Sequence, residues 1–441
     1  MFVDDWLIED LRGLRLSLNK PERKEIALEL NRPWEGSNGT YFTALQDEEK
    51  VRLYYRGYMA PGAQDISDEQ RVCYAESADG IHFTRPELGL YAFDGSTRNN
   101  IVFQGPLAHN FTPFLDRSPH AVPKERYKAV GGTGTITAAK NDGSLYGLTS
   151  PDGIHWREIE QRLIGGGGFD SQNVAFWDPN AQAYRCYNRY FHGGKYRAVQ
   201  SCSSPDFIHW SEQQHNEYED DAPMEHFYTN ATIVCPGAEH MYLAFPKRFV
   251  PGRKKIASHA ETGLSDTCFM TSRDGVRWNR TFMEAWLRPG RDDRNWTDRS
   301  NMVAFGCIET GPDEFSLYAT EHYRWDSNRL RRLSVRKHGF ASVSSSYAGG
   351  EMVTRPIVLE GDRLHLNYST SAAGFIRVEV QDAEGRALPG FTLEDAEPLF
   401  GDNVEEPFHW KGGVSLSALR GYTIRLRFEM RDADLYALRF K

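Results

Sequence analysis

The chain has 441 residues, of which 40% are hydrophobic, 26% charged and 13% aromatic, with a formal net charge of −9. The length exceeds one ordinary domain, and the acidic balance disfavours nonspecific polyanion binding, so no nucleic-acid partner is expected. No run of 18 apolar residues occurs, so no membrane-spanning helix and no membrane partner are expected.

Taken in chain order, Met1-Phe2-Val3-Asp4-Asp5 lacks a basic segment followed by an apolar core. That predicts no signal peptide and a cytoplasmic location. Residues 2–8 read as a strong strand. Strand patterns follow at 41–45, 51–58 and 71–76, then the phrase Ser77-Ala78-Asp79-Gly80-Ile81-His82-Phe83. A second group, 109–115, 126–131 and 145–149, leads into Ser150-Pro151-Asp152-Gly153-Ile154-His155-Trp156. A third, 173–177, 184–190 and 196–202, leads into Ser204-Pro205-Asp206-Phe207-Ile208-His209-Trp210. A fourth, 227–235, 241–249 and 267–271, leads into Ser272-Arg273-Asp274-Gly275-Val276-Arg277-Trp278. A fifth, 302–307, 314–322 and 330–335, ends in His338-Gly339-Phe340 instead.

Asp-Gly after a strand is turn chemistry: the carboxylate bonds its own backbone two residues on, and Gly supplies positive φ. The aromatic residue that follows can fold back between neighbouring units. Strand groups repeated at intervals of about 60 residues imply stacked supersecondary units. Three or four strands per unit, repeated radially, predict a five-bladed β-propeller over residues 1–345. The strand at 2–8 is expected to complete the last blade; Asp4 and Asp5 are alternatively active-site carboxylates. After Ser344-Ser345-Ser346-Tyr347-Ala348-Gly349-Gly350 the pattern changes, and strands at 364–368, 374–381, 408–410, 422–429 and 433–440 predict a jelly-roll-like β-sandwich over 350–441. The expected class is therefore all-β. Bracing is the role expected of the second domain; exposure of Trp410 or Tyr422 would favour sugar binding. The six cysteines lie in or beside strands without a C-x-x-C pair, as buried core residues in a reducing compartment do.

Polar residues at the starts of innermost propeller strands converge on the axis. The five starts are Pro33-Trp34-Glu35-Gly36, His109-Asn110-Phe111-Thr112-Pro113, Phe169-Asp170-Ser171-Gln172-Asn173, Glu225-His226-Phe227-Tyr228-Thr229-Asn230 and Asp298-Arg299-Ser300-Asn301. A ring of unpaired buried carboxylates is costly, so it is either heavily hydrogen-bonded or functional. Glycoside hydrolysis needs one carboxylic acid and a second carboxylate as nucleophile or base. The candidate catalytic residues are Glu225 as acid, Asp170 as base or nucleophile, and Glu35 orienting the sugar. Trp34, His109, Asn110, Gln172, Asn173, His226, Tyr228, Asn230, Arg299, Asn301 and His322 are the candidate sugar-binding residues. Each has a structural alternative: Glu35 as a turn cap, His109 and His226 as structural side chains, Asp298 as the partner of Arg299. A channel of this kind can hold a water-coordinated cation, but no short-range ligand motif appears, so no metal or cofactor is assigned.

Phe2-Val3-Asp4-Asp5-x-Leu7-Ile8, Pro33-Trp34-Glu35-Gly36, Tyr74-Ala75-Glu76-Ser77-x-Asp79-Gly80-Ile81, Asn99-Asn100-Ile101-Val102 and Glu125-Arg126-Tyr127-Lys128 resemble bacterial proteins described as glycoside hydrolase family 32-like. The resemblance extends to Leu366-Asn367-Tyr368-Ser369-Thr370-Ser371 and Asp432-Ala433-Asp434-Leu435-Tyr436. It implies the five-bladed propeller shared by family 32 and family 43 glycosidases, a carbohydrate substrate and an axial pocket. Family 32 enzymes carry Trp-Met-Asn-Asp-Pro-like, Arg-Asp-Pro and Glu-Cys segments; none is present here, so no catalytic triad transfers and fructose specificity is not implied. The resulting expectation is a glycosidase acting at chain ends on an oligosaccharide or glycoside. The alternatives are a non-catalytic carbohydrate-binding protein, and a lyase using His109 or His226 with Tyr228, which on a uronate would need a cationic pocket.

Overall fold

A computed structural model describes residues 1–48, 50–58, 70–132, 143–219, 221–259 and 261–441. The chain is all-β, and short 3-10 turns are the only helical elements among the described residues. It divides into two compact units: residues 21–310 with 315–334, and residues 1–20 with 311–314 and 335–441.

The larger unit is a succession of small antiparallel sheets. The first joins Thr40–Gln46, Val51–Gly57, Arg71–Ser77 and Ile101–Gln104 in that order. Next come Thr112–Leu115, Tyr127–Gly132, Ser144–Ser150 and Arg157–Gly165, then Val174–Asp178, Ala183–His192, Tyr196–Ser204 and Gln214–His215. The fourth group splits into two three-stranded sheets, His226–Phe227 with Lys247–Val250 and Leu264–Thr267, and Ile233–Val234 with Tyr242–Ala244 and Met270–Ser272. The last sheet contains Ile308–Gly311, Glu314–Glu321, Arg329–Arg336 and Glu22–Glu29. Strands such as Thr40–Gln46 and Arg71–Ser77 are buried along almost their whole length, which is why they read as apolar runs rather than strict alternations. Five segments from successive groups line one cavity of about 400 Å³: Ala44 and Leu45, Phe114 and Leu115, Phe176 and Trp177, Ile233 and Val234, and Phe305 to Cys307.

The repeated phrase is a staple at the strand ends. In all four copies the serine hydroxyl reaches the aspartate, whose Oδ1 accepts the next two backbone N–H groups but one, as in Asp152 with Ile154 and His155. Where histidine is present, its Nδ1 sits 2.7–2.8 Å from the second carboxylate oxygen. The turn carbonyl then accepts a tyrosine hydroxyl from a neighbouring sheet: Tyr54 to Gly153, Tyr187 to Gly275, and Tyr318 of the last sheet to Gly80 of the first. Gly153 has φ 75°, and a Cβ there would lie 2.5 Å from the Tyr54 hydroxyl. The third copy puts Phe207 at φ 68°, a strained position offset by packing against Phe114 and Tyr184. Burial opposes ionisation of Asp152, but the His155 and Ile154 N–H groups, the His155 ring and Ser150 pull its carboxyl down to about 2. A folded value below the ordinary ~3.9 adds stability above that pH and loses it as pH falls toward 2. The melting-temperature gap between wild type and Asp152→Asn is therefore expected to be full at pH 6 and to shrink between pH 4 and 2; a gap independent of pH would contradict this.

Two expectations about the chain ends are corrected. The last sheet is completed by Glu22–Glu29, not by residues 2–8. Residues 2–7 form a turn, with Asp4 accepting the Trp6 N–H, and Ile8–Arg12 pairs with Gly350–Thr354 in the smaller unit. Residues 341–345 also belong there, pairing with Leu14–Leu18. The smaller unit is one eight-stranded hydrogen-bonded sheet rather than two separated ones. Its spine is the pair Leu364–Asp382 and Thr423–Phe440, each continuous where a break was expected, with the irregularity absorbed between Thr370 and Phe375. Met352, Leu366, Ile376, Val378, Phe428 and Leu435 form its core. Trp410 is buried and donates to the Val378 carbonyl at 2.8 Å, whereas Tyr422 is exposed. All six cysteines are free thiols, five of them buried.

Candidate functional site

Tyr41, His109, Asp170, Tyr228 and Arg299 gather into one cluster of polar side chains. Thr40–Gln46 begins with a register shift between Thr40 and Thr43, and Tyr41 takes φ 53°. Bulges and left-handed backbone at a bulky residue are strained and concentrate at functional sites. The distortion places the Tyr41 hydroxyl 3.2 Å from that of Tyr228, in a buried contact that includes Met302. Pro106–Asn110, a 3-10 turn opened by proline, delivers His109. Gly165–Gly168 leads to Asp170, and the Gly168 carbonyl accepts the Arg189 Nε–H at 2.9 Å.

His109 and Asp170 meet at 2.7 Å between Nε2 and Oδ1. The His109 Nδ1 lies 2.7 Å from the Gln70 amide oxygen and 3.5 Å from Arg56 Nη1. Burial pulls the His109 pKa down, against the opposing pull of the Asp170 hydrogen bond. Burial pushes Asp170 the other way, but the His109 hydrogen bond, with Arg189 and Arg299, holds its carboxyl well below the usual range. Asp170 is half-buried and ionised. It fits the role of base or nucleophile, and it does not fit the role of proton donor.

Cations surround the tyrosines. Lys247, Arg189, Arg299 and Arg197 lie 4.1, 5.2, 5.4 and 5.5 Å from the Tyr228 ring centroid. Arg56 stacks 4.7 Å from the Tyr41 ring. Arg299 donates to the Tyr323 hydroxyl at 3.1 Å, and Arg324 lies 5.5 Å from that ring. Burial, then Arg299, push the Lys247 pKa well down; burial, then Arg189, lower that of Arg197. The tyrosines diverge. Burial, Tyr228 and Asp170 raise the Tyr41 hydroxyl well above its ordinary value. Burial would raise Tyr323 too, but Arg299, Arg56 and Arg324 together lower it.

Of the residues expected from sequence, the structure brings together His109, Asp170, Tyr228 and Arg299. Glu225 is held by Arg248 at 3.2 Å and by Arg280. Glu35 is fully buried; Arg85 and Tyr55 take one of its oxygens at 2.6 and 2.5 Å, and the Arg32 N–H takes the other. Trp34 donates to Asn100 at 2.6 Å. Asn110, Gln172, Asn173 and Asn301 spend their amides on backbone carbonyls, and Asn230 accepts the Thr232 N–H. His226 accepts the Arg197 N–H at 3.3 Å. His322 forms a pair with Asp292 at 2.7 Å. Asp298 is the loose partner of Arg299 at 3.6 Å and of Arg324 at 3.8 Å, and its buried Oδ1 has no hydrogen-bond partner among the described residues. Tyr41, Arg56, Gln70, Arg189, Arg197, Lys247 and Tyr323 were not expected. One signal was available: Arg56, Arg189 and Lys247 are basic residues on largely apolar and aromatic strands. Among the described residues, no group of three or more His, Cys, Asp and Glu is arranged to hold a metal ion.

No protein-family model matches the sequence, and no curated protein matches it. Among solved structures, the chain is similar to an N-acetylgalactosamine deacetylase from F. plautii, crystallised with blood group B trisaccharide, at 13% identity and a TM-score of 0.47 over 73% of this chain and 95% of that one. It is similar to a β-1,2-mannobiose phosphorylase from Listeria innocua at 12% identity and a TM-score of 0.46, over 72% of this chain and 96% of the other. A glycosyl hydrolase from Bacteroides ovatus gives 13% identity and a TM-score of 0.46 over 72% and 94%. At these values the likenesses assign no activity to this chain.

Proposed function

We propose that the larger unit is a five-bladed β-propeller whose axial pocket cleaves a glycosidic bond by hydrolysis. The observation that carries the proposal is the His109–Asp170 pair, a carboxylate kept ionised beside the Tyr41–Tyr228 hydroxyl pair. Asp170 acts as base toward water, or attacks the anomeric carbon directly. Tyr41, which keeps its proton, donates toward the leaving oxygen, and water adds across the broken bond. The Tyr228 ring with Arg189, Arg197 and Arg299 beside it offers the aromatic face and guanidinium forks that suit a sugar ring and its polar groups. The other carboxylates considered for catalysis fit less well, because Glu35 and Glu225 already have both oxygens engaged.

Elimination is a second reading, favoured by one observation: the Tyr41 and Tyr323 hydroxyls are shifted in opposite directions. Groups driven apart in this way divide naturally into acid and base. On a uronate, Tyr323 would remove the proton beside the carboxylate while Tyr41 protonates the leaving oxygen. Product analysis over a panel of oligosaccharides separates the cases. Hydrolysis gives new reducing ends and a mass gain of one water; elimination gives an unsaturated product that absorbs in the ultraviolet. Binding of a sugar with neither product from any substrate would sink both and leave a carbohydrate-binding protein.

A further inference from the structure

The cluster around Tyr228 carries more positive charge than the carboxylates among the described residues balance. Arg56, Arg189, Arg197 and Lys247 make no ion pair with a carboxylate among the described residues, and Arg299 reaches only Asp298, at 3.6 Å. Arg56, Arg189 and Lys247 are 4%, 6% and 0% exposed. The Nε–H groups of Arg56 and Arg197 have no acceptor among the described residues. Among the described residues, Asp170 and Asp298 are the carboxylates that act on this cluster, and Asp170 is already shared with His109. Four cations crowded around one tyrosine ring repel each other, and a protein that gained nothing from them would be more stable with fewer. Arginine rather than lysine predominates, and stacking on tyrosine fixes the planes of the guanidinium groups. Planar, pre-oriented forks match carboxylate and sulfate oxygens two at a time.

We propose that the sugar unit bound at this pocket is anionic, carrying a carboxylate or a sulfate ester that Arg189, Arg197 and Arg299 grip around Tyr228. This rests on the reading of the pocket as a sugar site and adds the substrate class to it. The anion supplies counter-charge to the cluster, and Arg197, whose side chain has no hydrogen bond or ion pair among the described residues, is the group most available to it.

Calorimetric titration of the whole chain at fixed ionic strength tests this with glucuronate, galacturonate and glucose 6-sulfate, each against its neutral parent sugar. The acidic sugars are expected to bind at least about tenfold more tightly, since one charge-assisted hydrogen bond supplies that much. Arg197→Gln should remove most of the preference, and Arg197→Lys should keep part of it. Arg197→Gln should also melt no lower than wild type, a result that a merely structural arginine would not give. Preference for the uronates over the sulfate, or the reverse, names the acidic group. Equal affinity for acidic and neutral sugars in the wild type would overturn the proposal, whether or not the variant folds. The two proposals fail separately: tight binding of acidic sugars without cleavage removes the catalytic assignment only, while cleavage of neutral glycosides without acidic preference removes this one only.

Discussion

Asp170→Asn is expected to lower kcat/KM by about a thousandfold on a cleaved substrate, with KM changed little. The amide keeps the volume of the carboxylate and can still accept from His109, so the fold around it remains. What it loses is the negative charge that the His109 hydrogen bond, Arg189 and Arg299 hold in place. Steady-state kinetics beside a melting curve separate these effects. A loss smaller than tenfold would remove Asp170 from the chemistry. His109→Gln should act in the same direction but less, because the imidazole acts through Asp170, which it holds in place.

Glu35→Gln is expected to do the opposite: to damage the fold and spare the chemistry. The Glu35 side chain has no exposed surface and is gripped by Arg85, Tyr55 and the Arg32 N–H. Neutralising it leaves the Arg85 guanidinium without its counter-charge, and breaking a buried pair in this way costs about 3–5 kcal/mol. Denaturant unfolding should show that loss, while the folded fraction keeps kcat within a few-fold of wild type. Unchanged stability with lost turnover would restore Glu35 to the catalytic group that the sequence suggested.

The repeated phrase was legible because it is local. A serine, an aspartate and a residue at positive φ within three positions define a turn whatever surrounds them, so Asp79, Asp152, Asp206 and Asp274 could be placed as turn residues from sequence. The starts of the inner strands were legible for the same reason, and His109, Asp170, Tyr228 and Arg299 came from them. The cations were not legible, because their adjacency depends on register. Arg56 reaches the pocket by pairing opposite Thr40 beside a bulge, and Lys247 by its backbone exchange with Tyr228 and Thr229. Neither relation leaves a mark in the sequence of a single strand. Glu35 misled for a related reason: its neighbours Trp34 and Gly36 look like the mouth of a pocket, and Arg85, its partner, lies fifty residues away. The chain start misled because hydrophobicity was taken as the strand signal. Phe2 and Val3 are instead buried in the smaller unit, and the strand that completes the last sheet, Glu22–Glu29, is charged. Its charges pair across the edge, Arg23 with Glu321 and Glu25 with Arg332, as edge strands often arrange.

The measurement that bears most directly on the proposed function of Asp170 is cleavage of an acidic oligosaccharide, read as new reducing ends, by wild type and by Asp170→Asn in parallel. New ends from wild type, absent from the variant while both still bind the sugar, are predicted. Equal cleavage by the two proteins, or binding without cleavage by either across the whole panel, would contradict the assignment of this pocket as the site of hydrolysis.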